Sequence, residues 1–280
     1  MRALVLSDIH GNLEALEAVL SAAGEWDVLW NLGDMVGYGG SPNEVLDRIR
    51  PLSTLVVRGN HDRVCCGLSS ATNFNPTARA AAQWTQNELS ARNITWLREL
   101  PQGPLFPEME VAACASVPGE VFSGTVAANA GESGYDRRDV RVTLAHGSPL
   151  NEDTYILTMR DAWAPLQQMQ TAVTFVGHTH VQGGFWQRDH DWHELRPSYR
   201  TSNEPDRWVM EIQPGTRQLI NPGSVGQPRD CDWRAGFATY DTTASEVVFQ
   251  RVPYDVTAAQ GRILMAGLPE RLAARLREGR

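Results

Sequence analysis

The chain has 280 residues, a formal net charge of −8 and a pI near 5.4, which argues against a broad electropositive face for duplex nucleic acid. Hydrophobic residues make up 42% and charged residues 21%, the balance of a soluble globular protein, and no apolar run approaches the ~18 residues of a membrane span. The apolar start is cut off by Asp8, too early for a secretory signal, so a cytoplasmic protein is expected. Cys65, Cys66, Cys114 and Cys231 form no Cys-x-x-Cys pair, and reduced thiols are expected.

In chain order, Ala3–Leu6 reads as a strand. A helix follows from Asn12 to about Ala23, with Leu13, Leu16, Val19 and Leu20 on one face, and a second strand at Val28–Trp30. Ser41-Pro42 has the form of an N-cap with proline at N1, opening a helix through Ile49 before a third strand at Thr54–Val57. Tandem βαβ units imply parallel strands whose ends share one rim. Helices are predicted over 77–91 and 94–100. Residues 114–139, rich in Gly, Ala, Ser and Val with little periodicity, read as a loop insertion.

Strands resume at 140–144 and 172–176 around a helix over 158–168. Strand-like runs at 184–186, 208–212, 218–221, 237–240 and 247–252, separated by turn residues, suggest a second, more antiparallel sheet packed on the first. Residues 257–280 read as a pair of amphipathic helices. With no repeat and no linker visible, a single domain over 1–280 is expected.

Five of the predicted strands run into polar text: Ser7-Asp8-Ile9-His10, Asn31-Leu32-Gly33-Asp34, Gly59-Asn60-His61-Asp62, Ala145-His146-Gly147 and Gly177-His178-Thr179-His180. Each has a structural reading when taken alone. Asp8 could belong to a helix start, Asp34 and Asn60 to turns, and His146 to a core edge. Together they are poorly explained as separate accidents, because strand ends on one rim can bring such side chains to one point, which is how a metal site is assembled on an α/β sheet. Mixed imidazole and carboxylate donors suit Mn, Fe or Zn better than Mg²⁺.

This ordered set, Asp-x-His, Gly-Asp, Gly-Asn-His-Asp, a lone His and Gly-His-x-His, resembles the calcineurin-like metallophosphoesterases. "GDMVGYGGSPNEVL", "FNPTARAA", "HGSP" and "NPGSVGQPRD" are similar to the bacterial phosphodiesterase-like branch. Insertion 114–139 and the stretch 187–206 depart from that pattern. The resemblance implies a four-layer α/β/β/α sandwich of two mixed sheets flanked by helices. It also implies two divalent or trivalent transition-metal ions. Asp8, His10 and His180 would hold one, Asn60, His146 and His178 the other, and Asp34 would bridge them.

Such a pair activates a water for in-line attack on phosphorus. His61, protonated, would meet the phosphoryl oxygen or the leaving group, and Asp62 would hold its ring and raise its pKa. Asn12 and Tyr38 could line the pocket, with helix start and packing as equal readings, and Arg58 could reach phosphate or form a surface ion pair. His190 and His193 read as surface residues. The expected activity is a phosphodiesterase with some monoesterase action on a small phosphate ester or diester. The alternatives are a dinucleoside polyphosphate hydrolase, a protein Ser/Thr phosphatase, or a non-catalytic scaffold.

Overall fold

Within β1 (Arg2–Leu6) successive side chains enter two different apolar cores, and this alternation sets the layering. Leu4 and Leu6 pack toward helices, whereas Ala3 and Val5 pack toward a second sheet. The computed structural model describes residues 1–107 and 142–280. The predicted insertion 114–139 lies outside the described residues, as does the start of the strand predicted from residue 140.

α1 (Leu13–Ala22) is capped by Asn12, whose side chain accepts from the Ala15 amide at 3.1 Å. It leads to β2 (Val28–Asn31), α2 (Pro42–Ile49) with its proline at the first turn, and β3 (Leu55–Val56). The chain then enters a short helix, α3 (Asn60–Cys65), followed by α4 (Pro76–Glu88) and α5 (Ala91–Glu99). β4 (Val142–Leu144) and β5 (Val173–Phe175) flank α6 (Met159–Gln168), whose Thr158 and Asp161 form a reciprocal capping box. β6 (Gly183–Arg188), β7 (Asp191–Leu195), β8 (Asp206–Glu211), β9 (Arg217–Asn221), β10 (Ala235–Asp241) and β11 (Glu246–Val252) precede the helices α7 (Val256–Met265) and α8 (Glu270–Glu278). None of the described helices is long and apolar enough to cross a membrane.

The first sheet runs β3-β2-β1-β10-β11-β8 and the second β4-β5-β9-β6-β7; both are mixed. Parallel pairing joins β1, β2 and β3 in one and β4, β5 and β9 in the other, while the remaining neighbours are antiparallel. The two sheets face each other across a core that includes Val5, Trp30, Phe175, Ile220 and Tyr240. Helices α1, α2, α7 and α8 cover the first sheet, and α6 covers the second, completing the α/β/β/α sandwich.

The late strands do not all build the second sheet, as their sequence suggested. β8, β10 and β11 complete the first one, where β10 lies against β1 with Arg2 opposite Asp241. Its pattern fits that central place: Ala235 and Phe237 enter the helical core, Ala238 and Tyr240 the inter-sheet core. β7, within the stretch 187–206 that departs from the family pattern, is an exposed edge strand with polar text.

Candidate metal centre

The rim where β1, β2 and β5 end is built by residues in left-handed backbone conformation. Asp8 (φ 54°), His10 (50°), Asp34 (54°), His178 (66°) and His180 (60°) all lie there, a costly choice for residues with a Cβ, and one that clusters at functional sites. Hydrogen bonds between rim turns offset the cost: the Asp8 amide donates to Gly33 O and the His10 amide to Asp34 O, both at 3.0 Å. These turns break the strand alternation, so Asp8 and His10 converge, as do His178 and His180.

Asp8, His10 and His180 form one buried triad and Asp34, His146 and His178 a second, the ligand atoms of each lying within 4.8 Å of one another. Asp34 Oδ2 joins them, 3.7 Å from His10 Nε2 and 3.3 Å from His146 Nε2. Asn60 Oδ1 lies 3.1 Å from the same His146 nitrogen, adding an uncharged oxygen to the second group. All seven side chains expected to meet are therefore gathered at one place.

The outer ring nitrogens settle the tautomers. His10 Nδ1 donates to Val36 O at 3.0 Å, His146 Nδ1 to Leu32 O at 2.8 Å and His180 Nδ1 to Gln227 O at 2.6 Å. In its neutral form each ring then presents the Nε2 lone pair inward. Asp8 is held the same way: Oδ2 accepts from Ser7 Oγ (2.7 Å) and the His178 amide (3.0 Å), while Oδ1 stays buried without a hydrogen-bond partner. Lone pairs and a carboxylate oxygen aimed at each other in a buried space are a poor arrangement alone and a good one around cations. The residues fit two metal ions, and the imidazole–carboxylate donor set favours first-row transition metals.

Two glycines are required by this crowding. A Cβ on Gly59 would lie 2.1 Å from Asp34 Oδ1, and one on Gly177 would lie 1.9 Å from Ser7 Oγ. The Gly-Asn and Gly-His steps therefore let β3 and β5 approach the carboxylates contributed by β1 and β2.

Asp62 corrects the sequence-based expectation. Its carboxylate does not hold the His61 ring; it accepts backbone amides from Gly59 (3.0 Å), Asp34 (2.8 Å), Met35 (2.9 Å) and Val36 (3.3 Å), tying the Asp34 turn to the start of α3. Nor is the His61 pKa raised. Burial, partly opposed by Asp34, pushes the imidazole down to about 4. The His61 ring is packed among Tyr38 and Phe74, each at 4.5 Å, and His10 at 4.9 Å. Its Nδ1 is buried without a partner, leaving Nε2 for a ligand.

Of the other predicted residues, Tyr38 lines the site, its ring 4.7 Å from His10. Asn12 is spent on structure, capping α1 and donating to Gly226 O at 2.9 Å. Arg58 is half-buried, with its charge near Cys66, and enters no ion pair among the described residues. His193 is exposed and stacks on Trp186 at 4.1 Å.

Electrostatics follow from burial and proximity. Burial works against the charged form of Asp8, yet His180 holds its pKa below the ordinary carboxylate range; burial opposes the charge on Asp34 too, where His146 prevails. Burial would depress His146, but Asp34 overcomes it and raises the imidazole to about 9. His178, dominated by burial and by His146, falls to about 3.

Sequence reasoning missed Arg229. Its guanidinium lies 5.8 Å from the Tyr38 ring, it depresses the pKa values of His61 and His180, and its Nε is buried without a partner. "NPGSVGQPRD" had marked the segment without assigning this side chain. Tyr155, which stacks on His178 at 4.0 Å, carried no signal at all.

Comparison with known proteins agrees with this geometry. The model of the calcineurin-like phosphoesterase superfamily domain matches residues 1–245. An uncharacterized protein of Methanocaldococcus jannaschii is 30% identical over 282 residues, covering 99% of this chain and 97% of that protein. The crystal structure of a metallophosphoesterase from Sphaerobacter thermophilus is 37% identical, with a TM-score of 0.73 over 100% of this chain and 99% of that one. A symmetrical bis(5'-nucleosyl)-tetraphosphatase of Pectobacterium carotovorum is 33% identical over 107 residues, 36% of this chain and 38% of that protein. With its ligand-bearing rim on a two-sheet sandwich and a match spanning most of its length, the chain belongs to the calcineurin-like phosphoesterase superfamily.

Proposed function

We propose that the protein is a metal-dependent phosphoesterase, acting chiefly on phosphodiesters with some monoesterase activity. The observation that carries this reading is the sharing of Asp34 Oδ2 between two buried triads, with His61 set immediately beside them. Asp8, His10 and His180 would hold one cation and Asn60, His146 and His178 the other, with Asp34 between. When bound, such a pair supplies Lewis acidity toward phosphoryl oxygens and a water of lowered pKa. Mn, Fe or Zn suits the donors.

The protein's own groups do the rest. His61 Nε2, as a neutral imidazole, donates a hydrogen bond to a phosphoryl oxygen, and its ring is held in place by Tyr38 and Phe74. Arg229 brings a guanidinium charge to the same side, near Tyr38 and His61, suited to an anionic phosphate. Asp62 keeps the turn carrying Asp34 fixed relative to His61.

Hydrolysis of a dinucleoside polyphosphate is a second reading, favoured by the 107-residue similarity to the tetraphosphatase and by Arg229, which could meet a further phosphate. The test is hydrolysis of bis(p-nitrophenyl) phosphate, p-nitrophenyl phosphate and diadenosine tetraphosphate, with Mn²⁺ and with chelator. Diester turnover that chelator abolishes supports the first reading; preferred cleavage of the tetraphosphate supports the second. No turnover of any ester with metal present overturns both.

A further inference from the structure

Helix α8 ends beside the ligand rim. Leu272, Ala273 and Leu276 form its buried face, and Leu276 closes a narrow gap with His10, Tyr38 and Gln227. The Cys231 amide donates to Gly279 O at 2.9 Å, which ties the end of α8 to the segment carrying Arg229. That segment is itself tied to a ligand residue, since the Arg229 amide donates to His180 O at 3.1 Å.

Two guanidiniums meet at this junction. Arg229 lies 5.8 Å and Arg275 6.0 Å from the centre of the Tyr38 ring, the same ring that packs against His10 and His61. Both side chains are half-buried. The flanking carboxylates are engaged elsewhere: Asp230 pairs with Arg251, Asp232 with Arg234 and Glu14 with Arg262. Burial, then the like charges of Arg229 and Arg271, push the Arg275 guanidinium below its ordinary pKa, and no carboxylate among the described residues opposes them.

The two side chains keep donors free. Arg229 Nη2 donates to Gln227 Oε1 at 3.1 Å and Arg275 Nε to Arg280 O at 2.5 Å. A negative charge on that Arg280 oxygen would cancel one of the three guanidiniums and leave two. Arg229 Nη1 and both terminal nitrogens of Arg275 have no hydrogen-bond partner among the described residues, and they are open to solvent. Like charges held together in a partly desolvated place are unfavourable until an anion joins them, and forked N–H groups match the oxygens of a phosphate.

We propose that Arg229 and Arg275 form a subsite for a second phosphate, so that the substrate carries a phosphate group besides the one cleaved at the rim. Arg229, bonded through its backbone to His180, is the inner member and Arg275 the outer one. Tyr38 reaches from His10 and His61 to both guanidiniums and so sets the spacing between the two phosphates. Use of the subsite in turnover rests on the phosphoesterase reading above; its capacity to hold an anion does not.

The experiment has a binding arm and a turnover arm, both on the full chain. In the first, metal is removed by chelation, the chelator is dialysed away, and inorganic pyrophosphate is titrated in by calorimetry at low salt. Binding in the millimolar range or tighter is expected. Arg275→Gln should weaken it roughly tenfold, whereas Arg275→Lys should keep most of it and Arg207→Gln, at an exposed position on β8, should leave it unchanged. Should Arg275→Gln fail to fold, NMR shifts of the wild-type Arg229 and Arg275 side chains on adding pyrophosphate decide this arm.

In the second arm, with Mn²⁺ present, kcat/KM is compared within two pairs of substrates. Thymidine 3'-phosphate 5'-(p-nitrophenyl phosphate) against thymidine 5'-(p-nitrophenyl phosphate) places the extra phosphate across a sugar; diadenosine tetraphosphate against diadenosine diphosphate places it along an anhydride chain. The wild type should favour the phosphate-rich member of at least one pair by roughly tenfold, and Arg275→Gln should bring that ratio close to one. Absence of pyrophosphate binding at about 10 mM, equal weakening by Arg207→Gln, no preference in either pair, or an equal loss on both members of a pair would overturn the proposal. Arg275-dependent pyrophosphate binding without hydrolysis of any ester would instead sink the phosphoesterase reading and leave the anion site standing.

Discussion

His10 Nε2 and His180 Nε2 face each other at 3.1 Å, each fixed as a lone pair because the opposite ring nitrogen donates to a backbone carbonyl, Val36 in one case and Gln227 in the other. The two rings are stacked at 4.8 Å and buried, so neither can turn away without giving up a hydrogen bond. Folding thus holds two acceptors in mutual repulsion, and a cation between them relieves it.

Metal removal is accordingly expected to lower stability. At a free cation concentration about a hundred times Kd the bound ion contributes ~2.7 kcal/mol, worth roughly 5–10 °C in Tm for a chain of this size. Calorimetry with Mn²⁺ and with chelator measures this. Superimposable melts would show that the two triads do not hold ions.

Metal uptake should also depend on pH through His146. Burial lowers its affinity for a proton, but Asp34 prevails and lifts the pKa from 6.5 to about 9, so the metal-free ring carries a proton at neutral pH. A ligating imidazole must be neutral; apparent affinity therefore rises with pH up to about 9 and then levels, and near pH 7 binding releases a proton. In the metal-free protein the His146–Asp34 pair contributes stability that is complete below pH 6.5 and lost as pH rises through about 9. Pairing pH-stat titration with the His146→Gln variant isolates this proton; the variant should release correspondingly less.

His61→Ala is expected to retain two metals per chain, because no ligand atom is removed. Its kcat should fall by about 10²–10³, the loss of one donor to a phosphoryl oxygen, and by a similar factor on p-nitrophenyl esters and on esters with poor leaving groups. Elemental analysis alongside single-turnover rates checks both halves. A variant with unchanged kcat would show that the ring only fills space between Tyr38 and Phe74.

Asp62→Ala should act through stability instead. It strands the amides of Gly59, Asp34, Met35 and Val36, all of which donate to this carboxylate. Leaving such buried groups unpaired costs about 1–3 kcal/mol each before relaxation, so a fall in Tm and loss of metal should appear together. An intact melting curve with lost activity would instead give Asp62 a direct part in the chemistry.

The polar blocks were legible because each follows an apolar strand, but each also had a structural reading alone, and it was the resemblance of the ordered set that named the seven ligands. Asp62 was legible as a residue but not as a role, since its partners are backbone amides and amides have no letter in the sequence. Arg229 was hidden for another reason: its value comes from standing near Tyr38 and His61, far from it along the chain. Strand pattern in β10 announced a buried strand, yet alternation alone does not say which neighbour supplies the hydrogen bonds. The meeting of Arg229 with Arg275 beside Tyr38 was beyond reach, being assembled from three separate segments.

Asp8, His10, Asp34 and Asn60 hang from one sheet, His146, His178 and His180 from the other, and between them stands the apolar filling that includes Val5, Trp30, Phe175 and Tyr240. The distance across the ligand rim is therefore a caliper reading of how thick that filling is. Trimming Phe175, which supplies no donor atom, would let the jaws settle closer or skew, and the choice among ions of different radius would shift although every coordinating side chain stayed the same.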